Sequence, residues 1–321
     1  MTRTTAVIVA LALFVSLDVR AAQTSRARYL MGTVCEVAIL ETGADPSEIE
    51  VAFAEAARIE EMLSTWRESS ELSRLNGQGT AQVSPETAAL LYTAMEWARK
   101  TDSAFNPLIR PLVDAWKTRG EGAFPTREAV DAARPKLRLE NVVIDGVTVT
   151  LRNGARFEEG GFGKGYAIDR MLAGLSATRA MVNFGGQIGV KGAMRVSIAD
   201  PRDRTRAIAE MTIADGSIST SSGSEKTFTL GGREFSHILD PRTGEALPSR
   251  GSVSVVATSA TETDILSTAL YVMGEADGLR WADANGVAAL FVTDTTIRRS
   301  AAFREHVRDL AVLDRKYTIE D

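Results

Sequence analysis

FEEGGFGKGYAIDR, residues 157–170, is the stretch around which the rest of the chain is organised. Four glycines at positions 160–165, here called the glycine cluster, surround Lys164, and Glu158 and Glu159 precede them. Glycine lets the backbone approach a ligand closely, so main-chain N–H and C=O groups can contact an anion or a nucleotide. The spacing does not fit the loop GxxxxGK followed by Ser or Thr. A tight strand-to-helix corner without a ligand is the alternative interpretation.

The segments on either side of the glycine cluster support a site at a helix start. Apolar residues recur at helical spacing after it and predict a helix that begins within or just after the cluster. Free N–H groups and the helix dipole favour anions at such an end. Before the cluster, Asp145-Gly146 separates two β-rich arms of residues 142–151, which predicts a hairpin.

The bulk properties limit the class of protein. A chain of 321 residues has room for about two domains or one large one. Its net charge of -5, from 37 basic and 42 acidic residues, gives no basic footprint for nucleic acid. We therefore expect no DNA or RNA partner.

Residues 1–22 have the composition of a signal peptide. Arg3 precedes an apolar run over residues 6–17, which is too short to cross a bilayer, and small residues follow at the cleavage positions. We predict cleavage after Ala21 or Ala22 and export to the periplasm. Residues 23–321 are predicted to form one domain, or alternatively two intimately packed subdomains. An uncleaved N-terminal anchor is the alternative. A lipid anchor is not indicated, because no cysteine lies near the cleavage site.

The single cysteine, Cys35, has no partner for an internal disulfide. Its apolar neighbours favour a small core residue over a nucleophile. The chain therefore gives no sign of thiol chemistry.

The segments before the glycine cluster predict helices next to strands. Residues 28–40 are rich in β-branched and apolar side chains, which favours a strand. Residues 47–63 predict an amphipathic helix, and residues 64–77 form a polar segment that carries Trp66. Ser84 followed by a proline predicts the start of a second helix.

The remaining segments complete the prediction of fold class. Two prolines in residues 103–116 disfavour a continuous helix before Leu112. Residues 217–224, SISTSSGS, fit a polar loop or a hydroxyl-lined binding edge, and a helix runs from Asp264 to Gly274. Strands are predicted within residues 180–190, 194–201, 208–213, 252–260 and 287–294. This irregular alternation, with a hairpin, predicts an α+β fold with mixed and antiparallel sheets and packed helices.

Oxygen-bearing side chains on the last predicted helix form a candidate metal site. Asp264 and Thr268 are four residues apart and project from the same face, with Ser267 beside them. Oxygen ligands suit a hard cation such as magnesium and suit zinc poorly. The alternative is that Asp264 caps the helix while the Thr268 hydroxyl bonds back to a carbonyl.

Two further residue types suggest chemistry. A histidine such as His237, in a strand-to-turn segment, is suited to act as a general base near neutral pH, although a lone histidine is often a hydrogen-bonded structural residue. Trp66 and Trp97 have rings that suit stacking on a flat ligand, although aromatic residues in amphipathic segments usually belong to the core.

These motifs follow one another in an order that resembles one family. They are MGT (31–33), STWR and SELSRLN (64–76), GGFGKGYAID (160–169), VNFGG (182–186), STS (219–221), SHILDPRTG (236–244) and DILSTAL (264–270). The chain resembles the ApbE family of FAD:protein FMN transferases over about residues 29–292.

The resemblance implies a magnesium-dependent transfer. FAD binds, a Thr or Ser hydroxyl of a partner protein attacks the phosphorus on the FMN side, and AMP leaves. The implied partner is a membrane-associated electron-transfer subunit with a domain exposed outside the cytoplasm. Two other functions fit the same residues. One is a magnesium-dependent hydrolase that splits FAD to FMN and AMP, and the other is a non-catalytic flavin-binding protein.

The resemblance also implies a role for individual residues. His237 would deprotonate the acceptor hydroxyl. Asp264, Thr268 and the carbonyl of Gly161 would hold Mg²⁺, with Ser267 as a weaker or water-mediated ligand. The positions implied to line FAD are Met31, Trp66, Asn106, Pro107, Leu108, Glu158, Lys164 and Leu239.

Four positions depart from the family pattern. Glu158-Glu159 stands where Asp-Leu is usual, Asn106 where Asp is common, Gly163 where Ala is common, and Ser222 where Gly is usual. We expect these departures to affect affinity and choice of partner more than the reaction class.

Overall fold

The computed structural model of the protein describes residues 24–320 except residues 44, 225 and 308. The predicted signal peptide therefore lies outside the described residues, and the single-domain prediction stays a prediction. Within the described part, none of the helices has both the length and the apolar character needed to span a membrane. The helices are α1 (Ser47–Leu63), α2 (Glu71–Gln78), α3 (Pro85–Lys100), α4 (Arg110–Trp116), α5 (Arg127–Ala133), α6 (Gly163–Gly174), α7 (Ala260–Met273), α8 (Glu275–Asn285) and α9 (Ala301–His306).

The strands form one large sheet and two small ones. They are β1 (Thr24–Leu30), β2 (Thr33–Ile39), β3 (Thr80–Gln82), β4 (Val142–Asp145), β5 (Thr148–Leu151), β6 (Ala180–Phe184), β7 (Gln187–Asp200), β8 (Asp203–Ser222), β9 (Thr227–Leu230), β10 (Arg233–Leu239), β11 (Ala246–Pro248), β12 (Ser252–Ala257), β13 (Ala288–Thr293), β14 (Thr296–Arg299), β15 (Ala311–Val312) and β16 (Thr318–Glu320).

The large sheet has the strand order β1-β2-β6-β7-β8-β12-β13-β14-β16, with β15 added beside β8. Its pairs are antiparallel except β14 with β16, which is parallel. The small sheets are β11-β10-β9 and β3-β5-β4. The prediction of an α+β fold with mixed and antiparallel sheets is confirmed.

Two hydrophobic cores lie on opposite faces of the large sheet. In β13, Ala289 and Phe291 belong to one core, while Ala288, Leu290 and Val292 belong to the other. This alternation follows from the two-residue period of a strand. The first core also takes the apolar faces of α1, α3, α6 and α7, so these helices form a layer on one face of the sheet.

Several local predictions are confirmed by the elements that form. Helix α1 spans the predicted residues and buries the side chains that set the pattern, such as Phe53 and Ile59. Helix α3 begins at Pro85, and the Ser84 hydroxyl accepts a hydrogen bond of 3.1 Å from the Thr87 amide. The Asp145-Gly146 turn joins β4 to β5 as expected.

Other local predictions were wrong. Helix α4 starts at Arg110 and not after Leu112, because Pro111 lies in its first turn, where no intrahelical N–H bond is needed. Residues 217–222 belong to β8, so the polar-loop interpretation was wrong for them and the hydroxyl-lined edge is the one that stands. Helix α7 begins at Ala260, one turn earlier than predicted, because the Ser259 hydroxyl caps it.

Candidate functional site

The glycine cluster begins α6, and α6 crosses α7 at very close range. A Cβ atom on Gly165 would lie 2.2 Å from the carbonyl oxygen of Ala260. The Gly165 amide donates a hydrogen bond of 3.0 Å to Oδ2 of Asp264. Only glycine allows this approach, so the cluster serves to bring the two helices together.

Asp169 joins the same two helices. Its carboxylate accepts hydrogen bonds from the Ser259 hydroxyl (2.8 Å), the Ala260 amide (2.6 Å), and the amide and hydroxyl of Thr261 (2.9 and 2.6 Å). A carboxylate at a helix N-terminus satisfies free N–H groups and complements the helix dipole. Asp169 therefore fixes the start of α7, one turn before Asp264. The sequence analysis did not single it out, although it ends the GGFGKGYAID motif.

Three of the predicted metal ligands lie at this crossing. Asp264 is buried and lines a cavity together with Thr268 and Gly161. A Cβ atom on Gly161 would lie 3.6 Å from the Thr268 hydroxyl oxygen. That hydroxyl donates to the Asp264 carbonyl at 3.1 Å, as the alternative interpretation expected, but the helix cap is Ser259 and not Asp264.

The Ser267 hydroxyl lies 3.1 Å from the Asp264 carbonyl oxygen and also contacts β8. This hydroxyl accepts from Ser221 at 3.0 Å and lies 3.2 Å from that of Ser219, so it joins α7 to β8. Its role as a metal ligand stays a prediction. No group of three or more His, Cys, Asp or Glu residues in the described ranges is arranged to hold a metal ion. Asp264, Thr268 and Gly161, which line the same cavity, offer a carboxylate, a hydroxyl and a backbone carbonyl, and a hard cation prefers such oxygen donors.

The cavity has a volume of about 300 Å³ and lies where the β6–β7 turn meets the hydroxyl-rich end of β8. It brings together residues from segments far apart in the chain. The predicted site residues that line it are Trp66, Asn106, Glu158, Gly161, Lys164, His237, Leu239, Asp264 and Thr268.

Three predicted FAD-lining residues have other contacts or are buried. The Met31 amide donates to Glu60 at 3.0 Å, the Pro107 carbonyl accepts from the Glu158 amide at 2.8 Å, and Leu108 is fully buried. None of these three is part of the cavity lining. Their contact with FAD stays a prediction.

The tautomer of His237 is set by a backbone carbonyl. Nδ1 lies 3.1 Å from the carbonyl oxygen of Lys226, which also accepts the His237 amide at 3.0 Å. A carbonyl oxygen only accepts, so Nδ1 carries the proton and the neutral ring has its lone pair on Nε2. His237 is half-buried at the cavity wall, which suits a base acting through Nε2.

The carboxylate pair before the glycine cluster is held by a residue that the sequence analysis missed. Arg119 donates to both oxygens of Glu158 at 2.7 Å and lies 3.9 Å from Glu159. Burial and then the charge of Glu159 raise the pKa of Glu158, while Arg119 and Arg110 oppose that rise. No sequence signal marked Arg119, because it lies in an irregular segment between α4 and α5.

The departures from the family pattern have local explanations. Asn106 donates to the Leu137 carbonyl at 2.9 Å, which an ionised Asp could not do. A Cβ atom on Gly163 would meet Glu159 at 3.4 Å, an ordinary contact, so the cavity wall does not require glycine there. The Ser222 hydroxyl bonds the Ser224 hydroxyl at 2.9 Å and closes the turn after β8.

Two more polar groups border the cavity. Lys164 donates to the Gly160 carbonyl at 3.2 Å, so its charge stays beside the glycine cluster. Gln187 is buried and donates to the Ala260 carbonyl at 2.9 Å, and among the described residues its Oε1 atom has no hydrogen-bond partner. A ligand rich in O–H and N–H donors fits such a wall. The sequence analysis did not identify Gln187.

Comparison with known proteins shows what the chain is similar to. Residues 31–291 match the model of the ApbE family. The FAD:protein FMN transferase of Treponema pallidum is 31% identical over an alignment 338 positions long, which covers 94% of this chain and 92% of that protein. The enzyme of the same name from Vibrio cholerae is 30% identical, with 74% and 76% covered.

Solved structures give the same result. The ApbE protein of Thermotoga maritima aligns with a TM-score of 0.82 and 29% identity, covering 90% of this chain and 100% of that one. The apo form of the Pseudomonas stutzeri flavinyl transferase ApbE aligns with a TM-score of 0.79 and 25% identity, covering 90% and 98%. The likeness therefore extends across nearly all of each solved chain.

Proposed function

The chain belongs to the ApbE family, and from that premise we propose that it is a FAD:protein FMN transferase. In the proposed reaction, magnesium-bound FAD gives its FMN phosphoryl group to a Ser or Thr hydroxyl of an acceptor protein, and AMP leaves. One observation carries the proposal: a single cavity holds the oxygen donors of α7, the glycine cluster with Lys164, and His237.

Asp264, Thr268 and the carbonyl of Gly161 would hold the cation. When bound, Mg²⁺ supplies charge neutralisation for the pyrophosphate of the substrate. The residues present fit it, because the groups they offer at the cavity are all oxygen donors and one of them is a buried carboxylate.

His237 would remove the proton of the acceptor hydroxyl at Nε2. The Lys226 carbonyl, which accepts from Nδ1 at 3.1 Å, would stabilise the imidazolium that forms. A bond forms between the acceptor oxygen and the FMN phosphorus, and the bond from that phosphorus to the bridging oxygen breaks. AMP leaves with that electron pair. Lys164 adds positive charge to the cavity wall.

The test uses the full chain, FAD, Mg²⁺ and a candidate acceptor. We expect the acceptor to gain the mass of an FMN phosphoryl group while AMP appears in equal amount. Free FMN without a labelled acceptor would indicate hydrolysis by water, and intact FAD would reject catalysis.

The metal assignment has a matched pair of variants. Asp264→Ala should abolish magnesium-dependent AMP release. Glu262→Ala, on the same helix but outside the cavity lining, should leave AMP release within about twofold of wild type. Full activity of Asp264→Ala would reject this residue as a ligand.

The location and acceptor belong to the same proposal. The composition of residues 1–22 supports export to the periplasm. There a membrane-associated electron-transfer subunit with an exposed Ser or Thr would be the acceptor. Sequencing the N-terminus of the protein recovered from cells tests the export, because a start at residue 22 or 23 requires cleavage.

A further inference from the structure

Trp66 presents an open aromatic face beside the cavity. Trp66 is 67% exposed and lines the cavity, whereas Phe53, the other large aromatic residue of α1, α2 and their connection, is buried. The guanidinium carbon of Arg119 lies 4.3 Å from the centroid of the ring. Since Arg119 covers one face, the opposite face is the open one. A planar cation against an indole ring is a favourable pairing.

The backbone just before Trp66 is held from two sides. The Glu159 carboxylate accepts the Thr65 amide at 3.0 Å and the Thr65 hydroxyl at 2.6 Å. Arg119 donates to the Thr65 carbonyl at 3.3 Å and also to the Thr65 hydroxyl. Glu158 holds Arg119 in turn at 2.7 Å. The backbone next to the Trp66 ring is therefore fixed, and the Arg119 guanidinium is fixed against one face of the ring.

We propose that Arg119 and Glu159 form a brace that holds Trp66 as a preformed stacking surface for one of the two ring systems of FAD. Both are positioning residues, since they act on the substrate through Trp66. The inference rests on the proposed function, because it takes FAD as the ligand. A ring fixed before binding loses less freedom when the ligand arrives, which strengthens binding. Glu159, a departure from the family pattern, thereby acquires a role in this chain.

Binding of FAD, measured by fluorescence titration or calorimetry without an acceptor, tests the brace. Trp66→Ala should raise the Kd of FAD about tenfold, which is the usual scale of ring stacking. Arg119→Met should raise it about fivefold, on the scale of a partly desolvated cation–ring pair. At saturating FAD, kcat should stay within twofold of wild type, and the weaker binding should appear as a higher KM for FAD.

The double variant distinguishes an effect of Arg119 through the Trp66 ring from a direct effect of the Arg119 charge on FAD. If Arg119 acts through the ring, Trp66→Ala combined with Arg119→Met should bind no more than about twofold more weakly than Trp66→Ala alone. If Arg119 acts only as a positive charge near the phosphates, the two effects should multiply, and the brace is overturned. Arg119→Lys keeps the charge but loses the planar face, and it should resemble Arg119→Met.

Two further variants complete the design. Glu159→Leu removes the anchor at Thr65 and should raise the Kd of FAD severalfold with a similar kcat. Lys100→Met removes another cation stacked on a ring, 4.4 Å from Trp97 and away from the cavity, and should leave the Kd unchanged. A loss of melting temperature in Arg119→Met with an unchanged Kd would mean that Arg119 only stabilises the fold, which overturns the proposal.

Binding of FMN and AMP alone identifies the ring. A loss confined to FMN in Trp66→Ala assigns the isoalloxazine to Trp66, and a loss confined to AMP assigns the adenine. An unchanged Kd for FAD, FMN and AMP in Trp66→Ala overturns the proposal. Wild-type protein that binds FAD but releases no AMP would reject the proposed transfer and leave the brace standing.

Discussion

Replacement of Gly165 by alanine tests the crossing of α6 and α7, on which the candidate metal site depends. The added Cβ atom would lie 2.2 Å from the Ala260 carbonyl oxygen and 2.8 Å from the Thr261 Cα atom. These are backbone atoms, so no side-chain rotation relieves the contact. Ordinary contact begins near 3.4 Å, and the helices must therefore separate by about 1 Å.

The separation has two expected costs. Overpacking of this kind destabilises a core by about 1–3 kcal/mol. The hydrogen bond of 3.0 Å from the Gly165 amide to Asp264 would also be lost, and the carboxylate would move. A displacement of about 1 Å in a reacting group lowers the rate by about two orders of magnitude. We expect a lower melting temperature together with a roughly hundredfold fall in AMP release.

The assay combines thermal melting, AMP release from FAD and titration with Mn²⁺ followed by electron paramagnetic resonance. Gly174→Ala is the matched control, because Gly174 lies in the same helix and its Cβ would meet no atom within 4 Å. We expect that control to be stabilised by about 0.5–1 kcal/mol with unchanged activity. Wild-type melting, activity and Mn²⁺ affinity in Gly165→Ala would refute the reasoning.

Three other variants test neighbouring features. Asp169→Asn removes a charged cap from α7 and should destabilise the protein by about 1–2 kcal/mol and weaken Mn²⁺ binding; an unchanged melting temperature would contradict the cap. Gly163→Ala should raise stability by about 0.4–1 kcal/mol in thermal melting, because its Cβ makes only ordinary contacts, and a loss of stability would show that the wall is tighter than described. Arg58 lowers the pKa of Glu55 and Glu86 mainly through hydrogen bonds, so its stabilisation is present above pH 4.5 and lost as the pH falls through the lowered pKa values. In thermal melting, the free energy of unfolding of Arg58→Met should therefore be at most about 1 kcal/mol below that of wild type at pH 7, and this difference should shrink in acid. A difference that does not depend on pH would exclude a contribution from the ion pairs.

Local signals in the sequence predicted much of the fold. Ser84-Pro85 and Asp145-Gly146 carry their conformations in a few residues, and both the helix start and the hairpin formed as predicted. The serine-rich run at 217–222 left both a loop and a hydroxyl-lined edge open, because small hydroxyl side chains suit either. In β8 those hydroxyls find partners on α7 and β12, such as Ser267 and Ser254, which local sequence does not reveal.

The candidate site was predictable where it depends on motifs and not where it depends on distant partners. Asp264, Thr268 and His237 stood out by residue type and spacing, and the structure gathers them in one cavity. Arg119 and Gln187 have no motif of their own. Their places follow from tertiary packing against Glu158 and Ala260, which lie far away in the chain.

The hydrogen bond between Gly165 and Asp264 joins residues 99 positions apart, and β6, β7, β8 and β12 all lie between them. No contiguous fragment shorter than that span contains both walls of the cavity. The cavity thus depends on a contact of high sequence separation, the kind that slows the folding of a protein. A molecule that bridges the two walls recognises only the finished fold. By linkage, such a ligand at a hundred times its Kd would raise the free energy of unfolding by about 2.7 kcal/mol.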